Sequence, residues 1–345
     1  MLQASSLAHP SRPRALAAWL FSVAGLIVLM VVVGGITRLT ESGLSITEWK
    51  PISGVIPPLS DAAWQAEFAH YKRIPEYTQI NHGMTLAGFK SIFFWEYTHR
   101  LLGRLIGLAF AAPLIWFAVR RRIPPGYAWR LIALLALGGL QGAIGWWMVS
   151  SGLSVRTDVS HVRLAVHLIT ALVLLSGMVW TALDLRALAQ SRLAPPASLR
   201  PLAVVALALL FSQIMFGAFT AGLNAGYAFS SWPLMGDAIF PSDVPMVDPA
   251  WRNAVDNPVV VQFIHRWFAF IAATALVMLG LRAVKSGAII AGRVLIGLVA
   301  LQILLGIATL LSGVEIGIAV AHQANAALTL IAATFAAHSI GRARL

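Results

Sequence analysis

Long apolar stretches alternate with short polar breaks along almost the whole chain, and most of the charge lies in the breaks. Eight stretches reach the ~20 apolar residues that a bilayer crossing requires. They lie near 16–37, 91–119, 130–150, 161–183, 201–222, 259–281, 293–313 and 318–340. A backbone in hydrocarbon has to satisfy its own hydrogen bonds, so strings of this kind predict helices. The expected fold class is therefore all-α integral membrane. Composition agrees: 59% of the 345 residues are hydrophobic and 11% charged, proportions foreign to a soluble domain.

The net charge of +12 changes this picture only through its placement. With eight spans both termini fall on one side. That side collects Arg12, Arg14, Arg120, Arg121, Arg122, Arg130, Arg186 and further Lys and Arg, against Asp184 as its one acid. Positive residues stay on the cytoplasmic side, so both termini are expected in the cytoplasm and the long loops outside, in a bacterial inner membrane. The basic excess is a topology signal and does not point to nucleic acid. There is no cysteine, which removes disulfides and thiolate-bound metals. Residues 1–15 read as a cytoplasmic tail without a cleavable leader pattern.

The spans also repeat. Residues 33–58, VGGITRLTESGLSITEWKPISGVIPP, align without gaps to 216–241, FGAFTAGLNAGYAFSSWPLMGDAIFP. T-H-R at 98–100 matches I-H-R at 264–266, LQGAIGWWMVSSG at 140–152 matches LQILLGIATLLSG at 301–313, and AVHLITAL at 165–172 matches VAHQANAA at 320–327. The order is the same in both halves. Two four-helix units follow, 16–186 and 201–341, joined by a linker over 187–200 that holds Pro195 and Pro196. An even number of spans per unit predicts parallel halves about a pseudo-twofold axis along the membrane normal. The outer loop of the first half, 38–90, is the longer one, so the halves are expected to differ in task. The glycine pairs 34–35 and 138–139 suggest close helix approach.

Four of the nine histidines lie inside spans at repeat-related places: His99 and His265, His167 and His322. Counting from each to the basic residue closing its helix gives 21, 19, 17 and 20 residues for His99, His167, His265 and His322, or roughly 26–32 Å from the inner edge. A lone intramembrane histidine is often just a packing residue. Four at one depth, two per repeat, form two bis-histidine clamps. A histidine pair falls short of a zinc site, whereas heme fits between helices. Two heme sites toward the outer face are expected, His99 with His167 and His265 with His322.

Arg100 and Arg266 follow the first histidine of each half. They are candidates for heme propionates, which a guanidinium matches, or for snorkelling to the interface. Arg104, His161, Trp146 and Trp147 are left open between structural and site roles. Glu96 stands three residues before His99, where the second half has Gln262. It reads either as an ion-pair partner of Arg100 or Arg163, or as a charge-stabilising, proton-handling acid beside the first heme. Because only one half carries the carboxylate, catalysis is assigned to the first half and electron transfer to the second.

GGITRLTESGLSITEWKPISG, FFWEYTHRLLGR, HLITAL, QFIHRW and HQANAA together resemble the heme A synthase family of cytochrome oxidase assembly, in its proteobacterial and mitochondrial branch. Gram-positive members carry a cysteine pair in the first outer loop that is missing here. The resemblance implies a membrane oxidoreductase that oxidises the C8 methyl of heme O to a formyl group, giving heme A. The implied route is two hydroxylations and loss of water. It implies that His99 and His167 flank heme O, that Glu96 is required for turnover, and that His265 and His322 hold a heme B cofactor that passes electrons. Expected partners in the membrane are a heme O synthase and an electron donor, and the sequence leaves open whether the chain forms a homo-oligomer. The competing expectation is a di-heme b-type cytochrome that only transfers electrons.

Overall fold

The computed structural model describes residues 11–191 and 194–342; His9, Arg192 and Arg344 lie outside them. The described residues form eleven α-helices, and their one β feature is an isolated bridge, Met235 to Ala238. The helices are α1 (Pro13–Leu39), α2 (Asp61–Tyr71), α3 (Pro75–Gln79), α4 (Leu86–Val119), α5 (Ala128–Val149), α6 (His161–Gln190), α7 (Pro201–Gly222), α8 (Asn253–Asp256), α9 (Pro258–Lys285), α10 (Ile289–Leu311) and α11 (Ile316–Arg342). Eight of them, α1, α4, α5, α6, α7, α9, α10 and α11, are long and apolar enough to cross a membrane. These coincide with the eight expected stretches, most of them longer at one or both ends.

Local chemistry sets the helix starts. Proline occupies the first turn of α1, α3, α7 and α9, where its missing N–H costs nothing. The Ser60, Thr85, Ser160 and Asn257 side chains accept from backbone N–H groups of the first turns of α2, α4, α6 and α9. The capped α2 and proline-started α3 give the outer segment 38–90 a helical framework that hydropathy alone does not reveal.

Packing differs between the two halves. In the first half α1 packs on α4 and α6, and α5 packs on α6; in the second, α7 packs on α9, and α10 packs on both α9 and α11. The halves meet where α6 faces α7 and where α11 lies against α1 and α6. Between apolar helices in lipid, close packing rather than water exclusion drives association, so small residues collect at contacts. Ala333, Ala336 and Ala337 of α11 are fully enclosed. Gly35 of α1 faces Gln323 of α11, whose Nε2 donates to the Val31 carbonyl at 2.8 Å. The glycine pair at 34–35 thus serves close approach, while Gly139 has open space beside it.

At the inner end, Asp184 is a buried staple. It accepts from Arg130 at 2.7 Å and from the Ala197 N–H at 2.9 Å, and its other contact is His338 Nε2 at 3.0 Å. One carboxylate thereby ties α5, α6, α11 and the linker. Because α6 runs on to Gln190, the linker is shorter than the expected 187–200.

Candidate heme site

The six spanning histidines of the structure fall into two kinds. His161 and His338 are buried and each has an acid beside it: Asp256 at 3.2 Å and Asp184 at 3.0 Å. His99, His167, His265 and His322 keep part of their surface accessible. His99 lies within electrostatic reach of His167, and His265 of His322. These are the pairings expected from the repeat. No cluster of three or more His, Cys, Asp or Glu suited to a metal occurs among the described residues, so paired imidazoles are the available ligand set.

Each of the four rings rests against a glycine on the preceding spanning helix. A Cβ at Gly34 would come within 3.1 Å of His99 Cε1, and at Gly145 within 2.9 Å of His167 Cε1. At Gly217 and Gly306 the distances to His265 and His322 Cε1 are both 3.0 Å. Any larger residue would push the ring away, so glycine fixes where each imidazole stands. The chain therefore holds four helix pairs of one design, with α1, α5, α7 and α10 supplying the notch and α4, α6, α9 and α11 the histidine. This fourfold pattern is visible as LQGAIG at 140–145, SQIMFG at 212–217, LQILLG at 301–306 and LMVVVG at 29–34. Pairing whole halves hides it, because the first helix is then compared with the fifth and never with the third.

The residue four before the notch glycine adds a second contact. Gln141 Nε2 lies 3.1 Å from His167 Nδ1 and donates to the His167 carbonyl at 2.8 Å. Gln213 does the same for His265, at 3.0 and 2.9 Å. Gln302 Nε2 lies 3.3 Å from both ring nitrogens of His322, and its Oε1 accepts from Asn325 at 2.7 Å. In each case an amide N–H group faces the ring, and the contact limits how far that ring can turn.

Arg100 and Arg266 turn toward the outer loops. Arg100 donates to the Ile46 carbonyl at 2.6 Å and the Glu48 carbonyl at 3.0 Å. Arg266 donates to Phe229 at 2.8 Å and Ser231 at 2.9 Å, the residues aligned with 46 and 48. Both arginines thus hang the same loop on the helix that carries the first histidine of each half. Arg266 Nε stays buried without a partner among the described residues. Arg104 extends the arrangement in the first half, donating to Lys50 and Pro51 carbonyls at 2.8 and 2.9 Å.

Glu96 is 3% exposed. Its Oε1 accepts from Arg100 at 2.6 Å, and its Oε2 from Ser45 Oγ and the Ile46 N–H, both at 2.7 Å. Gln262 instead donates to the Phe229 carbonyl at 3.0 Å. Glutamate and glutamine thus grip the same loop position from opposite hydrogen-bonding senses. Trp146 stacks on Trp49 at 5.5 Å beneath the Arg100 guanidinium, and Arg163 lies over Trp147.

Residues 17–334 match the family described as cytochrome oxidase assembly protein, COX15-CtaA. A heme A synthase of Sphingopyxis alaskensis is 55% identical over 341 residues, covering 99% of this chain and 96% of that protein. One from Rhizorhabdus wittichii is 56% identical over 345 residues, 99% of each chain. A third, from Erythrobacter litoralis, is 52% identical over 336 residues, 96% of this chain and 98% of the relative. With similarity of this extent, the chain belongs to the COX15-CtaA family of cytochrome oxidase assembly proteins.

Proposed function

We propose that this chain is a heme A synthase, a membrane oxidoreductase that converts heme O to heme A by oxidising the C8 methyl group. The observation that carries the reading is the set of four glycine-seated histidines in two pairs, in a chain whose relatives bear that name. His99 and His167 hold heme O in the half formed by residues 16–186. His265 and His322 hold a heme B in the half formed by 201–341. The ring notches and part-accessible imidazoles fit a flat, apolar group inserted between helices.

Heme B supplies one-electron chemistry to the substrate site. The remaining work falls to the protein's own residues. The Arg100–Glu96 pair closes the outer loop over the first site and keeps a carboxylate beside it, where it stabilises positive charge or moves protons during oxidation. The tryptophan pair Trp49 and Trp146 helps shield that edge from water. Arg266 Nε is the donor left in the second half for an anionic heme edge. Both termini lie in the cytoplasm, the sites face the outer side of the inner membrane, and a heme O synthase and an electron donor are the partners in the bilayer.

Co-expression with a heme O-forming enzyme, followed by pigment extraction, tests the assignment. Heme A is expected from the native chain and heme O alone from Glu96→Ala. Abundant heme A from that variant would remove Glu96 from the reaction, and a heme-free native protein would sink the whole reading.

A further inference from the structure

Three of the four histidines have a glutamine beside the ring, and the fourth does not. At the position four before its notch glycine, α1 carries Met30. The Met30 methyl lies 3.4 Å from where a Cβ would stand on Gly103, one turn beyond His99 on α4. A thioether is at best a weak acceptor and donates nothing. His99 Nδ1 is correspondingly buried with no hydrogen-bond partner among the described residues. The series is graded: His322 has a glutamine that is itself held by Asn325, His167 and His265 each have a glutamine, and His99 has neither.

A second observation concerns the helix that carries His99. The α4–α5 seam is much sparser than its counterpart, α9–α10. Gly280 and Gly292 bring α9 and α10 backbone to backbone. By the spacing of the aligned histidines and notch glycines, the corresponding residues are Leu114 and Leu131. His99 therefore projects from the helix that bounds the looser seam.

We propose, on top of the two-site reading above, that His99 is the exchangeable axial ligand of the substrate site and that Met30 makes it so. A substrate heme has to be seated and then let go, whereas a resident cofactor has to stay. An imidazole without a partner at Nδ1 lacks the amide contact that limits turning of the other three rings. His167 keeps hold of the iron while His99 opens and closes. Met30 is a positioning residue by omission, since it leaves unoccupied the contact that glutamine makes in the other three pairs.

The test is transfer of heme O from the loaded, purified protein to excess apomyoglobin, followed by absorbance. Met30→Gln is expected to slow transfer by about 10–100-fold, the usual effect of such outer partners on metal affinity. Met30→Leu, which brings no hydrogen bond, is expected to keep fast transfer. Heme B retention is read in the same samples and is expected to be unchanged in both. Transfer from Met30→Gln within twofold of the native rate overturns the proposal. So does equal slowing by Met30→Leu, which would make the effect one of packing. The reciprocal Gln213→Met variant is expected to release heme B about 10–100-fold faster, and unaltered retention there also counts against the proposal. Failure of the underlying reading is separate: a native protein that binds no heme O, or His99→Ala with an unaltered heme O spectrum, defeats the two-site assignment whatever Met30 does.

Discussion

The two halves of the molecule leave different seams sparse, α4 against α5 in the first and α7 against α11 in the second. Gly280 and Gly292 close α9 on α10, and α9 also packs on α11. In the first half Leu114 and Leu131 stand at the matching places and α4 meets α5 sparsely. Both of the second half's ring-holding glutamines are present, and only one of the first half's. The outer caps differ as well. Around residues 247–257 the second cap is tied by Asn253 and Asn257, amides that do not titrate. The first cap encloses carboxyl groups, Glu96 and Glu76. A handful of small-to-large and amide-to-other differences thus sets the surroundings of one histidine pair apart from those of the other.

Replacing the notch glycines should break this comparison most completely. Gly217→Leu with Gly306→Leu should abolish heme B absorbance while heme O binding to the first half survives. Gly34→Leu with Gly145→Leu should do the reverse. Heme B retained by the first pair of substitutions would show that the notches do not seat the ligands.

The next largest contrast is between the two loop arginines. Arg100→Met strands the buried Glu96 carboxylate, a loss on the order of 3–5 kcal/mol. Arg266→Met leaves only carbonyls without a donor, roughly 1–3 kcal/mol. Thermal unfolding of the purified variants in detergent measures the difference, and equal destabilisation would remove the special standing of the Glu96 pair.

The most local effect concerns pH. Burial, with lesser contributions from Glu96, Glu41 and Asp158, pushes the Glu76 carboxyl up to about 8, against the hydrogen bond from Tyr71. A carboxyl that holds its proton in the fold and loses it on opening makes opening easier as pH rises. Between about pH 5 and 8, hydrogen exchange corrected for intrinsic rate should therefore show α2 and α3 opening up to about tenfold more per pH step. It should level off above 8, and Glu76→Gln should flatten the profile. The cap at 223–258 should show no such dependence, and a matching slope there would erase the distinction between the caps.

Hydropathy was enough for the eight spans, because a crossing helix is decided by length and apolarity alone. The repeat gave the expectation that His99 pairs with His167 and His265 with His322, and the members of each couple lie within electrostatic reach of each other. What sequence could not show was direction. Arg100 and Arg266 were candidates for an anionic heme edge, yet most of their donors point to carbonyls of residues 46, 48, 229 and 231, which become neighbours only once the loops fold. Glu96 left two readings open, and its contacts are those of an ion pair that also binds the loop. The glutamine–glycine spacing was legible throughout but carries no meaning until a ring is seen lying against the glycine. Helices α2 and α3 escaped hydropathy because they are short, partly polar pieces of an outer loop, set by Ser60 and Pro75.

The contact between Gln323 and Val31 joins the surroundings of the two histidine pairs. Gln323 directly follows His322, and Val31 directly follows Met30 on the helix whose Gly34 cradles His99. Moving from one imidazole toward the other requires a few backbone bonds, a single 2.8 Å hydrogen bond and the contact of Gly34 with the His99 ring. The link is direct, running from Gln323 to the helix that seats His99. It is also a fixed one, because adjacent residues on each helix look outward to the partner half and inward to their own site.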